Sequence, residues 1–118
     1  MSWMDTPALQ LLERFLDLAS RRHTVISSNL ANIDTPGYRA RDLDFGRELR
    51  RAEMQFPDEP TLPWVRQVPG LIERPDGNNV NLERETMALA EVQLRYRTGV
   101  ELLRAEIRRL LTAIREGG

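Results

Sequence analysis

Residues 27–49 read Ser-Ser-Asn-Leu-Ala-Asn-Ile-Asp-Thr-Pro-Gly-Tyr-Arg-Ala-Arg-Asp-Leu-Asp-Phe-Gly-Arg-Glu-Leu, and here a long amphipathic helix is stopped and released into extended chain. Asn32 tolerates a left-handed helix end, and Thr35 is pushed out of helical geometry by the proline that follows it. Thr35-Pro36-Gly37-Tyr38 reads as a type II turn: Pro36 fixes φ at the second position and Gly37 supplies positive φ at the third.

Upstream of that stop, Thr6 or Asp5 caps a helix and Pro7 sits where a missing N–H costs nothing. Leu9, Leu12, Leu16, Ala19, His23, Ile26, Leu30 and Ile33 then follow a 3-4 alternation, with Leu11, Phe15, Leu18 and Val25 widening the stripe. A stripe that narrow is a coiled-coil seam. The last helix repeats it at Leu82, Thr86, Leu89, Gln93, Tyr96, Val100, Leu103, Ile107, Leu110 and Ile114, capped by Asn81 or Asn79, with Glu83 and Glu85 near its positive end and Gly117-Gly118 letting it fray. Gly99 falls inside this helix, where alanine would be favoured by about 1 kcal/mol.

Between the helices the character changes. Five of the seven prolines (Pro57, Pro60, Pro63, Pro69, Pro75) fall within 55–77, without helical period. Leu43, Phe45 and Leu49 predict a short helical turn over 43–54, residues 64–68 a short strand, and Asp76-Gly77 a closing turn. The expected fold is therefore all-α: long N- and C-terminal helices (6–33 and 80–116) form a coiled-coil pair, joined by an extended, Pro-rich, partly disordered connector (34–79) with at most short strand segments. The 118 residues make one domain.

Charge balance and residue types remove several functions. Seventeen basic residues, all arginine, nearly cancel eighteen acidic ones, so no field concentrates nucleic acid or anionic membrane. Arg21-Arg22, Arg50-Arg51 and Arg108-Arg109 lack interleaved aromatics and read as solvated faces or as intersubunit partners for Asp and Glu. Without cysteine there are no disulfides, thiolates or cysteine-held metal clusters. His23 has no second histidine beside it and reads as a polar notch that sets register, as do Thr86 and Gln93. No nucleophile–base pair and no Gly-rich phosphate loop stands out, so no enzyme, cofactor, metal or small-molecule substrate is expected. Asp76-Gly77-Asn78-Asn79 lacks the spacing of a calcium loop and reads as a turn with a helix cap. Trp3 and Trp64 are candidate interface anchors. The first residues have no basic n-region or apolar h-region, so no Sec signal is read there.

The segment Asn29-Leu30-Ala31-Asn32-x-x-Thr35-Pro36-Gly37-Tyr38 resembles the N-terminal signature of the flagellar rod and hook family of axial proteins. Residues 40–45 and 76–83 look like the proximal-rod members of that family. The resemblance implies a structural subunit of the periplasm-spanning rod in the flagellar basal body. Its partners would be other copies, other rod proteins and the inner-membrane ring or rod adaptor proteins, with no nucleic acid. It also implies export by the flagellar type III apparatus, whose gate reads Phe-x-x-x-apolar after the first helix; Phe45-Gly46-Arg47-Glu48-Leu49 matches, although the pair also suits plain i, i+4 packing. The assembly seam would run through Leu12, Leu16, Ile26 and Leu30 on one helix and Leu89, Tyr96, Val100, Leu103, Ile107, Leu110 and Ile114 on the other. Another rod or hook-basal subunit is the alternative within the family; a cytosolic helical-hairpin adaptor or export chaperone is the alternative outside it, and such a chain should be stably helical alone.

Overall fold

The computed structural model describes residues 6–54 and 63–117, so Trp3, Asp5, Pro57, Pro60 and Gly118 lie outside the described residues. Helix α1 (Pro7–Ala31) opens as its sequence requires: the Leu9 N–H donates to Thr6 Oγ1 at 3.1 Å, and Pro7 takes the first turn. Its end differs from expectation. Asn32 has φ −106°, outside the left-handed region. The helix instead unwinds through tightened bonds, Asn32 N–H to Ser28 O and Asn29 O and Ile33 N–H to Leu30 O, while Asn32 Nδ2 donates to the Ser28 carbonyl at 2.8 Å. Positive φ waits for Gly37, at +76°, where Tyr38 N–H donates to Thr35 O at 3.2 Å.

The chain then forms strand β1 (Arg41–Leu43), helix α2 (Phe45–Met54), strand β2 (Val65–Gln67) and helix α3 (Leu82–Glu116). The strands pair antiparallel, with Asp42 opposite Arg66. Leu43 therefore belongs to a strand, not to the helical turn expected from 43; α2 starts after Asp44, whose Oδ1 accepts from Arg47 N–H at 3.0 Å. The return strand is pinned by Glu48, a buried α2 carboxylate that accepts from Trp64 N–H at 2.6 Å. At the start of α3, Asn81 Oδ1 accepts from Arg84 N–H at 3.0 Å, which leaves Asn79 free for another role.

Helices α1 and α3 run antiparallel: Asn29 meets Glu85, Arg22 meets Glu91, and Phe15 and Leu16 meet Gly99, stepping down α1 as they step up α3. Leu18, Ala19 and Ile26 of α1 pack with Leu43, Phe45, Ala88 and Val92 as the core. The molecule measures 67 × 26 × 18 Å.

The contact line on α3 is Glu85, Ala88, Val92 and Gly99, to one side of the predicted seam. Thr86 and Gln93 are exposed, so neither is a polar core position, and Leu82 and Tyr96 are exposed with them. Leu89, Val100, Leu103, Ile107 and Leu110 are half-buried, and Ile114 is exposed. On α1, Ile26 is buried, Leu12, Leu16 and Leu30 are half-buried, and His23 is exposed while Arg22 beside it is buried. Side-chain size permits this rotation: Ala88 and Gly99 allow the helix axes to approach, which the larger residues of the apolar stripe do not. The two predicted stripes flank a single groove of about 710 Å³, lined by Ala19, Ser20 and His23 on one side and Gln93, Tyr96 and Val100 on the other.

Gly99 reverses its expectation. A Cβ there would lie 2.8 Å from both Leu16 Cδ2 and Phe15 Cδ1. Overpacking of ~1–3 kcal/mol outweighs the ~1 kcal/mol of helix propensity that alanine gains. Gly99→Ala is therefore expected to lower the thermal midpoint in a circular-dichroism melt; a raised midpoint would show that the crossing is looser than this.

Candidate functional site

Two polar segments far apart in the chain, 29–42 and 74–85, close on each other at one end of the hairpin. Asn29 is wholly buried and makes all the bonds a carboxamide can make. Its Nδ2 donates to Arg41 O at 2.7 Å and to Glu85 Oε1 at 2.5 Å; its Oδ1 accepts from Arg41 N–H and the Tyr38 hydroxyl, both at 3.1 Å. One side chain thereby joins α1, the turn, β1 and α3.

A second carboxamide does the same for the turn. Asn78 Nδ2 donates to Asn32 O at 2.9 Å and Thr35 O at 2.8 Å, while its Oδ1 accepts from Val80 N–H at 2.8 Å. Asn79 is no helix cap; its Oδ1 accepts from Ala40 N–H at 2.6 Å, and its own N–H donates to Tyr38 O. Arg74 donates to the carbonyls of Val80 and Ile33. The two glycine turns lie back to back: Gly37 N–H donates to Asp76 O at 2.8 Å, and a Cβ on Gly77 (φ +88°) would come 3.3 Å from Gly37 Cα. Thr35 closes onto Asn32 Oδ1 at 3.0 Å, whereas Ala31 and Pro36 are exposed.

Beneath this clasp runs a chain of charges. Arg22 grips Asp42 with two bonds, Nε to Oδ1 at 3.0 Å and Nη2 to Oδ2 at 3.2 Å, and gives Nη1 to Glu91 at 2.9 Å. Arg84 bridges Asp42, at 2.9 Å, to Glu85, at 3.1 Å. Glu85 is 0% exposed, and no buried side-chain polar atom among the described residues lacks a partner. The arginine dyads find partners inside the chain: Arg21 pairs with Asp17, Arg51 with Glu48 and Arg109 with Glu106. Sequence reasoning missed Arg22 because its dyad reads as surface, yet Phe15, Leu18, Arg22, Ile26 and Asn29 share one inward face at 3-4 spacing.

Phe45 is 6% exposed, meets Phe15 edge to face at 5.0 Å and carries the Arg95 guanidinium 4.5 Å above its ring; Leu49 packs against the same core. No group of three or more His, Cys, Asp or Glu among the described residues is placed to hold a metal. Trp64 is exposed, with Arg47 and Arg66 each 5.1 Å from its ring.

A family profile described as flagella basal body rod protein matches residues 16–39, the later part of α1 with the turn. Over their near-full lengths the similarity narrows. The flagellar basal body rod protein FlgB of Cereibacter sphaeroides is 38% identical over 112 residues, covering 85% of this chain and 88% of the relative. FlgB of Aeromonas hydrophila is 33% identical, covering 85% and 86%, and that of Yersinia enterocolitica 30%, covering 93% and 95%. The chain belongs to the FlgB family of flagellar basal body rod proteins and is a structural subunit of that rod.

Glu85 and Asp42 respond oppositely to acid. Burial raises the Glu85 carboxyl above its ordinary 4.5, only partly offset by Asn29 and Arg84. Burial would also raise Asp42, but bonds and charge from Arg22, with Arg84 and the Leu43 N–H, hold it below 3.8. The contribution of Glu85 is thus present below its ordinary pKa and lost as pH rises through the raised value; that of Asp42 is present above its ordinary pKa and lost as pH falls through the lowered one. Glu85→Gln keeps the acceptor for Asn29 and removes the buried charge. Its melting temperature, relative to the native chain, is expected to be higher at about pH 7 than at about pH 4. An equal difference at both pH values would mean that Glu85 is not raised.

Proposed function

We propose that this rod subunit is a proximal-rod component that assembles helically with its own copies and with other rod proteins, seated against the inner-membrane ring or its adaptor proteins and crossing the periplasm. It works as one axial domain over 1–118, with terminal helices at 6–33 and 80–116 and a connector at 34–79, and it carries out no catalysis. The observation that supports this reading is the apolar surplus of the hairpin: Val100, Leu103, Ile107 and Leu110 are only half-buried, and Tyr96 and Ile114 are exposed, along one flank that the partner helix leaves open. Leu12, Leu16 and Leu30 supply the facing side of the seam, with Ile26 behind them in the subunit's own core, and the turn residues Asn29, Ala31, Asn32, Thr35, Pro36, Gly37 and Tyr38 fix the angle at which the hairpin closes.

Leu103→Asp and Ile107→Asp are expected to leave secretion largely intact and to abolish rod formation, since an unpaired buried carboxylate costs several kcal/mol. Normal swarming by both variants would sink the seam.

Phe45 and Leu49 are proposed to serve export first, read by the type III gate in the unfolded chain, and packing afterwards. Phe45→Ala with Leu49→Ala should reduce secreted subunit in a strain unable to polymerise rod. Leu18→Ala, which costs ~2–5 kcal/mol at a packed site, is the control for lost stability and should not reduce secretion. Equal secretion of the double variant and the native chain would leave the pair as a packing contact only.

A further inference from the structure

Asp76 is the one aspartate or asparagine in the chain that a glycine follows. That pairing carries chemistry of its own, because a glycine nitrogen has no side chain beside it as a shield and its backbone turns freely in an open chain. The Gly77 amide nitrogen can attack Cγ of Asp76: a C–N bond forms, the carboxyl gives up one oxygen as water together with the amide proton, and a succinimide ring results. Water then re-enters. Where it cleaves the bond between the ring nitrogen and the former main-chain carbonyl, the chain continues through Cβ and Cγ as isoaspartate, and the α-carboxylate is left as the side group. One water leaves and one returns, so the step needs no oxidant, reductant or second protein.

The closed clasp holds that peptide group at both ends. Its carbonyl, Asp76 O, accepts from Gly37 N–H at 2.8 Å, and its N–H, on Gly77, donates to Arg74 O at 2.9 Å. The Asp76 carboxylate is engaged as well, Oδ1 accepting from Asn78 N–H at 3.0 Å. Attack requires the amide proton to leave and the peptide to turn toward Cγ, which breaks both main-chain bonds. Gly77 has little room to turn, since at φ +88° a Cβ on it would lie 3.3 Å from Gly37 Cα. Asp76 itself is exposed, so the restraint is the bonding and not the exclusion of water.

We infer that Asp76–Gly77 is a self-modification site that the closed clasp silences, and that a chain carrying isoaspartate there cannot close the clasp. Isoaspartate lengthens the main chain by one carbon, about 1.5 Å. The groups on either side are fixed: Gly37 lies behind, and ahead the Asn78 carbonyl accepts from Arg74 N–H at 2.8 Å while its carboxamide ties Asn32 and Thr35. The carbonyl that Gly37 bonds also leaves the main chain and becomes part of a free carboxylate.

The test ages the full chain at one temperature and pH in urea and in trimethylamine N-oxide, which favours the folded state. Isoaspartate is counted by the methyl groups that protein isoaspartyl methyltransferase transfers from S-adenosylmethionine, and is placed at residue 76 by tandem mass spectrometry. Rates are taken relative to a synthetic peptide of residues 72–80, which has no clasp to form. Residue 76 is expected to isomerise at least about tenfold more slowly in the osmolyte than in urea, matching within about threefold the slowing of hydrogen exchange at the Gly77 amide, because both need the same opening. Equal relative rates in the two solutions would overturn the silencing, as would a slowing that falls outside that match. For the second half, the isoaspartyl fraction is purified and melted in the osmolyte, where its midpoint should lie below that of the unaged chain; repeated methylation, which returns isoaspartate to aspartate, should restore it. A native midpoint before repair, or none regained after it, would overturn the link to the clasp.

Discussion

The Asn29 carboxamide holds four partners at once, and the geometry of the hairpin depends on it. Aspartate at this position would lack the two donors, and leucine none of the volume but all of the bonds; each would take the Asn29 donor from the Arg41 carbonyl and leave Glu85 with Arg84 alone in a site closed to water. An unsatisfied buried group costs about 1–3 kcal/mol, more when it is charged. With Asn29 in place, Glu85 can be wholly buried, and with Glu85 fixed the first turns of α3 have a single rotational setting against α1. Ala88, Val92 and Gly99 then follow inward by helical period alone.

Buried charge and apolar stripe divide the work between them. Polar groups set the rotation of α3, since Arg22, Asp42, Arg84 and Glu85 bond well in one arrangement only. The continuous apolar residues, by contrast, tolerate many rotations and end up beside the contact rather than in it. Such networks add little net stability over a well-packed apolar core, but breaking one is strongly destabilising. That asymmetry suits a protein whose apolar surface must stay available to neighbours without capturing its own partner helix in the wrong register.

The long helices were legible because their caps and 3-4 spacing are local: Thr6, Pro7 and Asn81 act within one turn of themselves. Gly37 was legible for the same reason, through its proline neighbour. The rotation of α3 was not, because it is decided by Asn29, 56 residues away, and by the absence of side chains at Gly99, which a hydrophobic pattern counts as nothing. Strand β1 escaped notice because three residues are too short to alternate and Asp42 and Arg41 read as surface. The clasp was half legible: 29–38 and 76–83 were each marked as turns or caps, but their mutual bonding through Asn78 and Asn79 is tertiary and leaves no local signature.

The helices that stabilise each other sit at opposite ends of the chain, and the bonds between them span 56 residues at Asn29–Glu85 and 69 at Arg22–Glu91. Closing loops of that length must precede most of the stabilising contacts, which places the fold among those of high contact order, where folding is slow. A partly emerged chain, whichever end leads, holds only one of the two helices and no complete core. The topology is thus a timer: Leu18, Ala19 and Ile26 have no core to enter until Ala88 and Val92 of α3 reach them, and α1 alone is kept from premature collapse.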